Sequence, residues 1–236
     1  DGIRDRDVTG VQTCALPIYY WSNSLATVEE LEQVSEIPVL AAVPLMSEKP
    51  RRALTGLSAP LRRLTGRAAS SSAAVPLSVV IDTARAESVR TLCASLLLSR
   101  GERPPRVIVV TSALPGEGKT TIVSQLGCAL AESGARTLLI EADLRRPMLG
   151  ARLNVGNEGG LSLYLSGRSP DLTVHSAETD KLFVVAAGPV APNPVALLAS
   201  EKWNVFVHEM ASSFDFVIID TPPALSMADA VVVGSK

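Results

Sequence analysis

The sequence predicts an α/β fold, a mostly parallel sheet flanked by helices, and three observations predict it. Arg106-Val-Ile-Val-Val-Thr111 is a β-branched run of the kind found in parallel strands buried on both faces. A glycine-rich loop follows and opens into a helical stripe of Ile122, Val123, Leu126, Ala129 and Leu130, which Gly134 ends. Further on, Phe214-Asp-Phe-Val-Ile-Ile-Asp220 is a second apolar strand that closes on an acid.

The 236 residues leave room for one α/β domain of ordinary size with appendages. Hydrophobic residues at 47% and charged residues at 19% suit a buried core and exclude global disorder. A net charge of -2 says nothing about a nucleic-acid partner, and aromatics at 4% argue against a base-stacking surface. Cys14, Cys93 and Cys128 lie far apart without a Cys-x-x-Cys pair, which is neither a disulfide framework nor a zinc pattern. No stretch reads as a membrane-spanning helix. Gly188, Pro189, Pro192 and Pro194 break the uncharged run from Leu182 to Ser200, and Gln12, Ser22, Asn23 and Ser24 make Val8 to Val28 too polar.

From the start of the chain, Asp1 to Ile18 resembles the translation of a sequencing adapter and is set aside from the fold as non-native. Tyr19, Tyr20 and Trp21 precede a short helical pattern, for which Thr27 is the expected cap with Glu30 at capping-box spacing. Ile37 to Val43 reads as a strand closed by Pro44. From Glu48 to Ser78 the composition shifts: Lys49, Arg51, Arg52, Arg62, Arg63 and Arg67 face one acid, and Ala68 to Ala74 is Ala and Ser only. A flexible linker is expected there, and its basic run suits an anionic membrane surface, at about 1 kcal/mol per Lys or Arg. Val89, Leu92, Leu96 and Leu97 then share one face of a helix expected over Arg85 to Leu98. Thr137 to Ile140 reads as a strand after the long helix. Ala228 to Val233 is an apolar run followed by Gly-Ser-Lys, and a gene cut at both ends is the expectation.

Ser112-Ala-Leu-Pro-Gly-Glu-Gly-Lys-Thr-Thr121 carries the chemistry. Strand, glycine loop, Gly-Lys-Thr, helix, strand is the context that a P-loop requires. Backbone N–H groups from Gly116, Glu117, Gly118, Lys119 and Thr120 can curl around phosphates beside Pro115 and Thr121, and the helix N-terminus adds positive potential. Lys119 is placed for the β- and γ-phosphates and the Thr120 hydroxyl for Mg²⁺. Ala113 stands where the generic motif has its first glycine. Asp220 ends a Walker B strand and is placed to hold Mg²⁺ directly or through water. Leu138-Leu-Ile-Glu-Ala-Asp-Leu-Arg145 sets Glu141 and Asp143 on one face by the two-residue period, an acid pair expected to meet metal or substrate.

These residues resemble a known family. The acid-x-Asp-x-Arg strand is similar to the Walker A′ motif of the bacterial tyrosine kinases of capsule and exopolysaccharide export. Glu87-Ser-Val-Arg90 resembles that family's Glu-x-x-Arg-x-x-Arg oligomerisation motif, Gly159 to Gly167 its loop and helix after Walker A′, and Ala187 to Leu198 its Gly-Pro…Pro-Asn-Pro…Leu-Leu segment. Thr27 to Pro44 resembles the stretch that follows the second membrane helix in fused members. Cys93 replaces the second motif arginine, Glu141 stands where Asp is usual, and no tyrosine cluster is present; Tyr19, Tyr20 and Tyr164 are the tyrosines.

The resemblance implies a P-loop NTPase using ATP and Mg²⁺ for autophosphorylation on tyrosine, with Lys119, Glu141, Asp143 and Asp220 catalytic and Thr120, Asp143 and Asp220 toward the metal. Within the acid pair, Asp143 is expected to be the metal-associated acid and Glu141 the base that faces substrate. It also implies protein tyrosine substrates including the chain itself, a homo-oligomeric ring through the Glu87/Arg90 helix, the polysaccharide export machinery as partner, and the cytoplasmic side of the bacterial inner membrane. The expected organisation is a non-native segment at 1–18, a juxtamembrane segment at 19–47, a basic linker at 48–80 and the P-loop domain at 81–236, incomplete at its C-terminal end. Two other readings fit a P-loop: a placement or partitioning ATPase of the deviant Walker type, and a non-catalytic polysaccharide chain-length regulator. Leu114, where the first would carry lysine, and the intact Lys119, Thr120, Asp143 and Asp220 count against them.

Overall fold

The computed structural model describes residues 27–44, 83–98, 104–177 and 179–235. The segment at 1–18, the aromatic triplet at 19–21 and the basic linker lie outside the described residues.

Five strands form one sheet: β1 (Val107–Val110), β2 (Thr137–Glu141), β3 (His175–Ser176), β4 (Leu182–Val185) and β5 (Phe216–Asp220). Their spatial order is β1-β5-β2-β4-β3, with every pairing parallel except that of β3 with β4. The expected mostly parallel sheet is what forms. Register places Val110 and Glu141 on either side of Asp220, so the carboxyl ends of three strands finish side by side.

The two-residue period of β2 and β5 divides the core. Leu138, Ile140, Val217 and Ile219 face one cluster, with Trp203 and Phe206 of α7 (Glu201–Ser213). Leu139, Phe216 and Ile218 face the other, with Val123 and Leu126 of α3 (Lys119–Glu132). Helices cover both faces, so β2 and β5 are buried at every position and alternation of polarity is absent, as a parallel sheet demands. Each fully buried aliphatic side chain contributes roughly 1.5–3 kcal/mol. Gly127 of α3 faces β2 so closely that a Cβ there would lie 2.6 Å from Leu139 Cδ2. A glycine inside a helix costs about 1 kcal/mol of propensity, and here that cost secures the close approach.

The described N-terminal part is less buried. α1 (Val28–Ser35) is capped as expected, Thr27 Oγ1 accepting from Glu30 N at 3.2 Å, and none of its residues is buried. Ile37 to Val43 is not a strand. It pairs with no strand among the described residues, Pro38 has no N–H to give a ladder, and the Leu40 carbonyl instead accepts from Ser95 Oγ at 2.8 Å. Ser95 lies on α2 (Thr83–Leu98), the helix expected from Arg85, which packs against α3. No helix among the described residues is long and apolar enough to cross a membrane.

Candidate nucleotide and metal site

The site gathers at the carboxyl ends of β1, β5 and β2. After β1 the chain turns through Gly116 (φ +84°) and Gly118 (φ +92°), left-handed conformations that side-chain-bearing residues rarely adopt. No atom would meet a Cβ at either, so backbone torsion alone demands glycine there. The loop holds itself open. Ser112 Oγ donates to the Leu114 carbonyl at 2.8 Å, and Glu117 Oε2 accepts from Leu114 N at 3.0 Å. Gly118 caps α3 without a side chain, and the first turn of a helix leaves its N–H groups without intrahelical partners. Pro115 has no N–H and can only shape the rim. Thr121 follows in the first turn of α3.

Lys119 is the first residue of α3, and its Nζ lies 4.0 Å from Asp143 Oδ2, both side chains being nearly buried. Thr120 Oγ1 donates to Asp220 Oδ2 at 2.7 Å. Asp220 Oδ1 is buried without a partner among the described residues. Burial pushes the Asp220 carboxyl up to about 6, and the Thr120 hydrogen bond and the Lys119 charge only partly offset it. A hydroxyl, a carboxylate oxygen with no donor and a second acid across the cleft are hard oxygen ligands of the kind Mg²⁺ takes. Among the described residues no three acids, histidines or cysteines gather into a metal cage. Mg²⁺ usually keeps waters and uses one or two carboxylates with substrate phosphates, and this donor set fits that habit.

Asp143 stands just beyond β2. Its Oδ1 accepts from Arg145 N at 3.3 Å and Arg146 N at 3.0 Å, which leaves Oδ2 toward Lys119. Glu141 does not join it. The Glu141 residue is only 1% exposed, and its carboxylate accepts from Leu149 N, from Gly150 N at 3.3 Å and from Ala187 N at 3.2 Å. Leu149 and Gly150 open α4 (Leu149–Arg152), and Ala187 follows β4. The substrate-facing base expected at Glu141 is therefore corrected. β2 ends at Glu141, so the strand period no longer governs Asp143, and the longer side chain turns under α4.

The sequence reading missed Asp229, at the start of α8 (Asp229–Gly234). It is fully buried and accepts from both Nε and Nη2 of Arg145 at 3.3 Å. A lone acid inside the apolar run from Ala228 to Val233 was the signal, because buried acids need partners. The Thr221-Pro-Pro turn between β5 and α8 is fastened to β1: Thr221 Oγ1 donates to the Val110 carbonyl and Thr111 Oγ1 to that of Pro222, each at 2.9 Å.

The remaining expected residues lie elsewhere. Glu87 and Arg90 pair at 3.1 Å on an exposed face of α2. Cys93 is half-buried and packs against the core cluster beneath α3, and burial raises its thiol pKa. Tyr164, in α5 (Leu161–Leu165), packs on Phe206 with Lys202 over its ring, inside the fold and not at the P-loop.

Comparison with known proteins agrees with this architecture. Residues 108–179 match the model of the CobQ/CobB/MinD/ParA nucleotide binding domain. The tyrosine-protein kinase YwqD of Bacillus subtilis is 36% identical over 150 residues, 63% of each chain. A putative tyrosine-protein kinase in a cps region of Klebsiella pneumoniae is 30% identical over 214 residues, 90% of this chain and 29% of that one. The solved kinase domain of the Escherichia coli tyrosine kinase ETK superposes with a TM-score of 0.72 at 32% identity, covering 88% of this chain and 77% of that one. The chain thus spans less than two thirds of the length of these curated relatives.

Proposed function

The chain belongs to the bacterial tyrosine kinase family, and from that premise we propose that it binds Mg-ATP and transfers the γ-phosphoryl group to protein tyrosine, its own tyrosines included. The observation that carries the reading is the pairing of Lys119 with Asp143 and of Thr120 with Asp220 at adjoining strand ends beside an open P-loop.

In this reading the loop amides and Lys119 bind the phosphates, and Lys119 stabilises charge that builds on the γ-phosphoryl oxygens. Thr120 and Asp220 hold the metal, with Asp143 beside it; Mg²⁺ when bound supplies charge neutralisation at the phosphates. The tyrosine oxygen bonds to the γ-phosphorus as the bond to the β–γ bridging oxygen breaks, and ADP leaves. The tyrosine proton needs an acceptor, because a phenol of pKa near 10 is a poor nucleophile at neutral pH. With Glu141 occupied by three backbone amides and Asp220 assigned to the metal, Asp143 Oδ2, across from Lys119, takes that work.

The test is phosphotyrosine formation in a chain extended to the length of its relatives. Lys119→Met should abolish it, and near-normal autophosphorylation in that variant contradicts the assignment. Production of phosphate from ATP without phosphotyrosine favours the placement ATPase instead.

The setting belongs to the same proposal. The relative from a cps region supports a role in polysaccharide export. The Tyr19-Tyr20-Trp21 triplet and the basic run from Lys49 to Arg67 support an inner-membrane anchor with this domain on the cytoplasmic side. The exposed Glu87–Arg90 pair supports a ring of copies, one in which Cys93 has removed a contact. Fractionation and sizing of the full-length protein check both statements: it should follow the inner membrane and elute as a multimer, and a soluble monomer contradicts both.

A further inference from the structure

We propose that Arg145 and Asp229 form a positioning pair that holds the acids of the metal site in register, a role that rests on the Mg-nucleotide reading above. Asp143 and Asp220 come from different segments, and each must be fixed relative to the other. Asp220 is fixed by β5, paired on both sides. Asp143 lies just past the last ladder bond, in which Ala142 N donates to the Asp220 carbonyl at 2.8 Å, so its backbone is tied to β5 on its N-terminal side alone. Its rotamer is set by two backbone N–H groups, those of Arg145 and Arg146. Whatever fixes the backbone at Arg145 therefore fixes Asp143 Oδ2 opposite Lys119.

The Arg145 guanidinium does this by reaching across to α8. Its Nε and Nη2 both donate to Asp229 Oδ2, a planar two-donor grip that a lysine does not reproduce. Asp229 is 0% exposed, and its Oδ1 has no partner among the described residues. A buried acid with one oxygen unsatisfied is costly in an apolar helix, and the cost persists only because Arg145 is there. α8 itself packs against β1, whose end leads into the P-loop, and follows the Thr221 turn that is fastened to the same strand. The pair thus closes a circuit from Walker A′ through α8 and β1 to the phosphate loop. Such supporting contacts commonly change metal affinity 10–100-fold when removed.

The experiment is titration of ADP into this chain with and without Mg²⁺, alongside a thermal melt. Arg145→Met alone should melt early, because it strands the Asp229 charge. The double variant Arg145→Met/Asp229→Asn removes both charges and should recover the melting temperature. It should bind metal-free ADP as the parent does while losing at least about tenfold of the affinity that Mg²⁺ adds. Arg145→Lys keeps the charge without the two-donor grip and should fold while losing part of the same increment. A full Mg²⁺ increment in Arg145→Lys, or in a folded double variant, overturns the proposal. So does an equal loss of metal-free ADP binding, which marks the pair as general scaffolding. A parent chain that gains no ADP affinity from Mg²⁺ refutes the nucleotide-site reading itself.

Discussion

Replacing Glu141 with alanine should cost the protein a large share of its folding stability. The substitution removes a buried carboxylate that accepts from three backbone N–H groups and leaves those donors without partners. A hydrogen bond to a charged group is worth about 1.5–3 kcal/mol, and an unsatisfied buried donor costs about 1–3 kcal/mol. Even with overlap between those figures the loss is roughly 3–6 kcal/mol, against about 5–15 kcal/mol for a whole domain. Glu141→Gln should also destabilise, since its NH₂ would meet a backbone donor. Urea unfolding gives the magnitude, and amide exchange at Leu149, Gly150 and Ala187 locates it. A Glu141→Gln protein of unchanged stability and protection that nevertheless loses phosphotyrosine formation would restore Glu141 as the base.

The second large effect is a pH-dependent cost at Asp220. Its carboxyl is raised from 3.8 to about 6, chiefly by burial, so the folded protein holds that proton more tightly than the unfolded chain. The sign follows. Below about pH 4 both states are protonated and the group costs nothing. As pH rises toward 6 the unfolded chain ionises first, and stability falls until the folded carboxyl has ionised too. Above about pH 7 the penalty is complete, roughly 3 kcal/mol. Asp220→Asn keeps an acceptor for Thr120 and removes the charge. The ligand-free variant should therefore be more stable than its parent by up to about 3 kcal/mol near pH 7–8, and by nothing near pH 4. Urea midpoints across that range measure it, and a variant destabilised equally at both ends contradicts the burial account. On the proposed function, the same substitution should also weaken Mg²⁺-dependent nucleotide binding, because a bound metal would relieve the burial cost of that carboxylate.

Much of this site was legible because its signals are local. The glycine loop after β1, the Lys-Thr pair that starts α3 and the acid that ends β5 are all set within a few residues, and they stand at the expected places in the fold. The apolar run at Phe216–Asp220 gave its strand because both faces are buried, whereas the run at Val107–Val110, expected to be buried on both faces, forms an edge strand that is half-buried throughout. What failed was whatever depended on distant partners. Ile37 to Val43 has the composition of a strand, but no strand among the described residues pairs with it. Glu141 was assigned by the strand period, but β2 ends at that residue and α4 supplies amides that no spacing rule foresees. Asp229 was absorbed into an apolar run because its partner Arg145 lies in a different segment.

The central claim is that Thr120 and Asp220, beside Lys119 and Asp143, form a magnesium-dependent nucleotide site. Calorimetric titration of ADP into this chain, with excess Mg²⁺ and again with a chelator, tests it most directly. Binding should be tighter with Mg²⁺, and Thr120→Ala should lose that increment while its metal-free affinity stays near the parent's. Binding that is indifferent to Mg²⁺, or an increment that survives in Thr120→Ala and in Asp220→Asn alike, would contradict it.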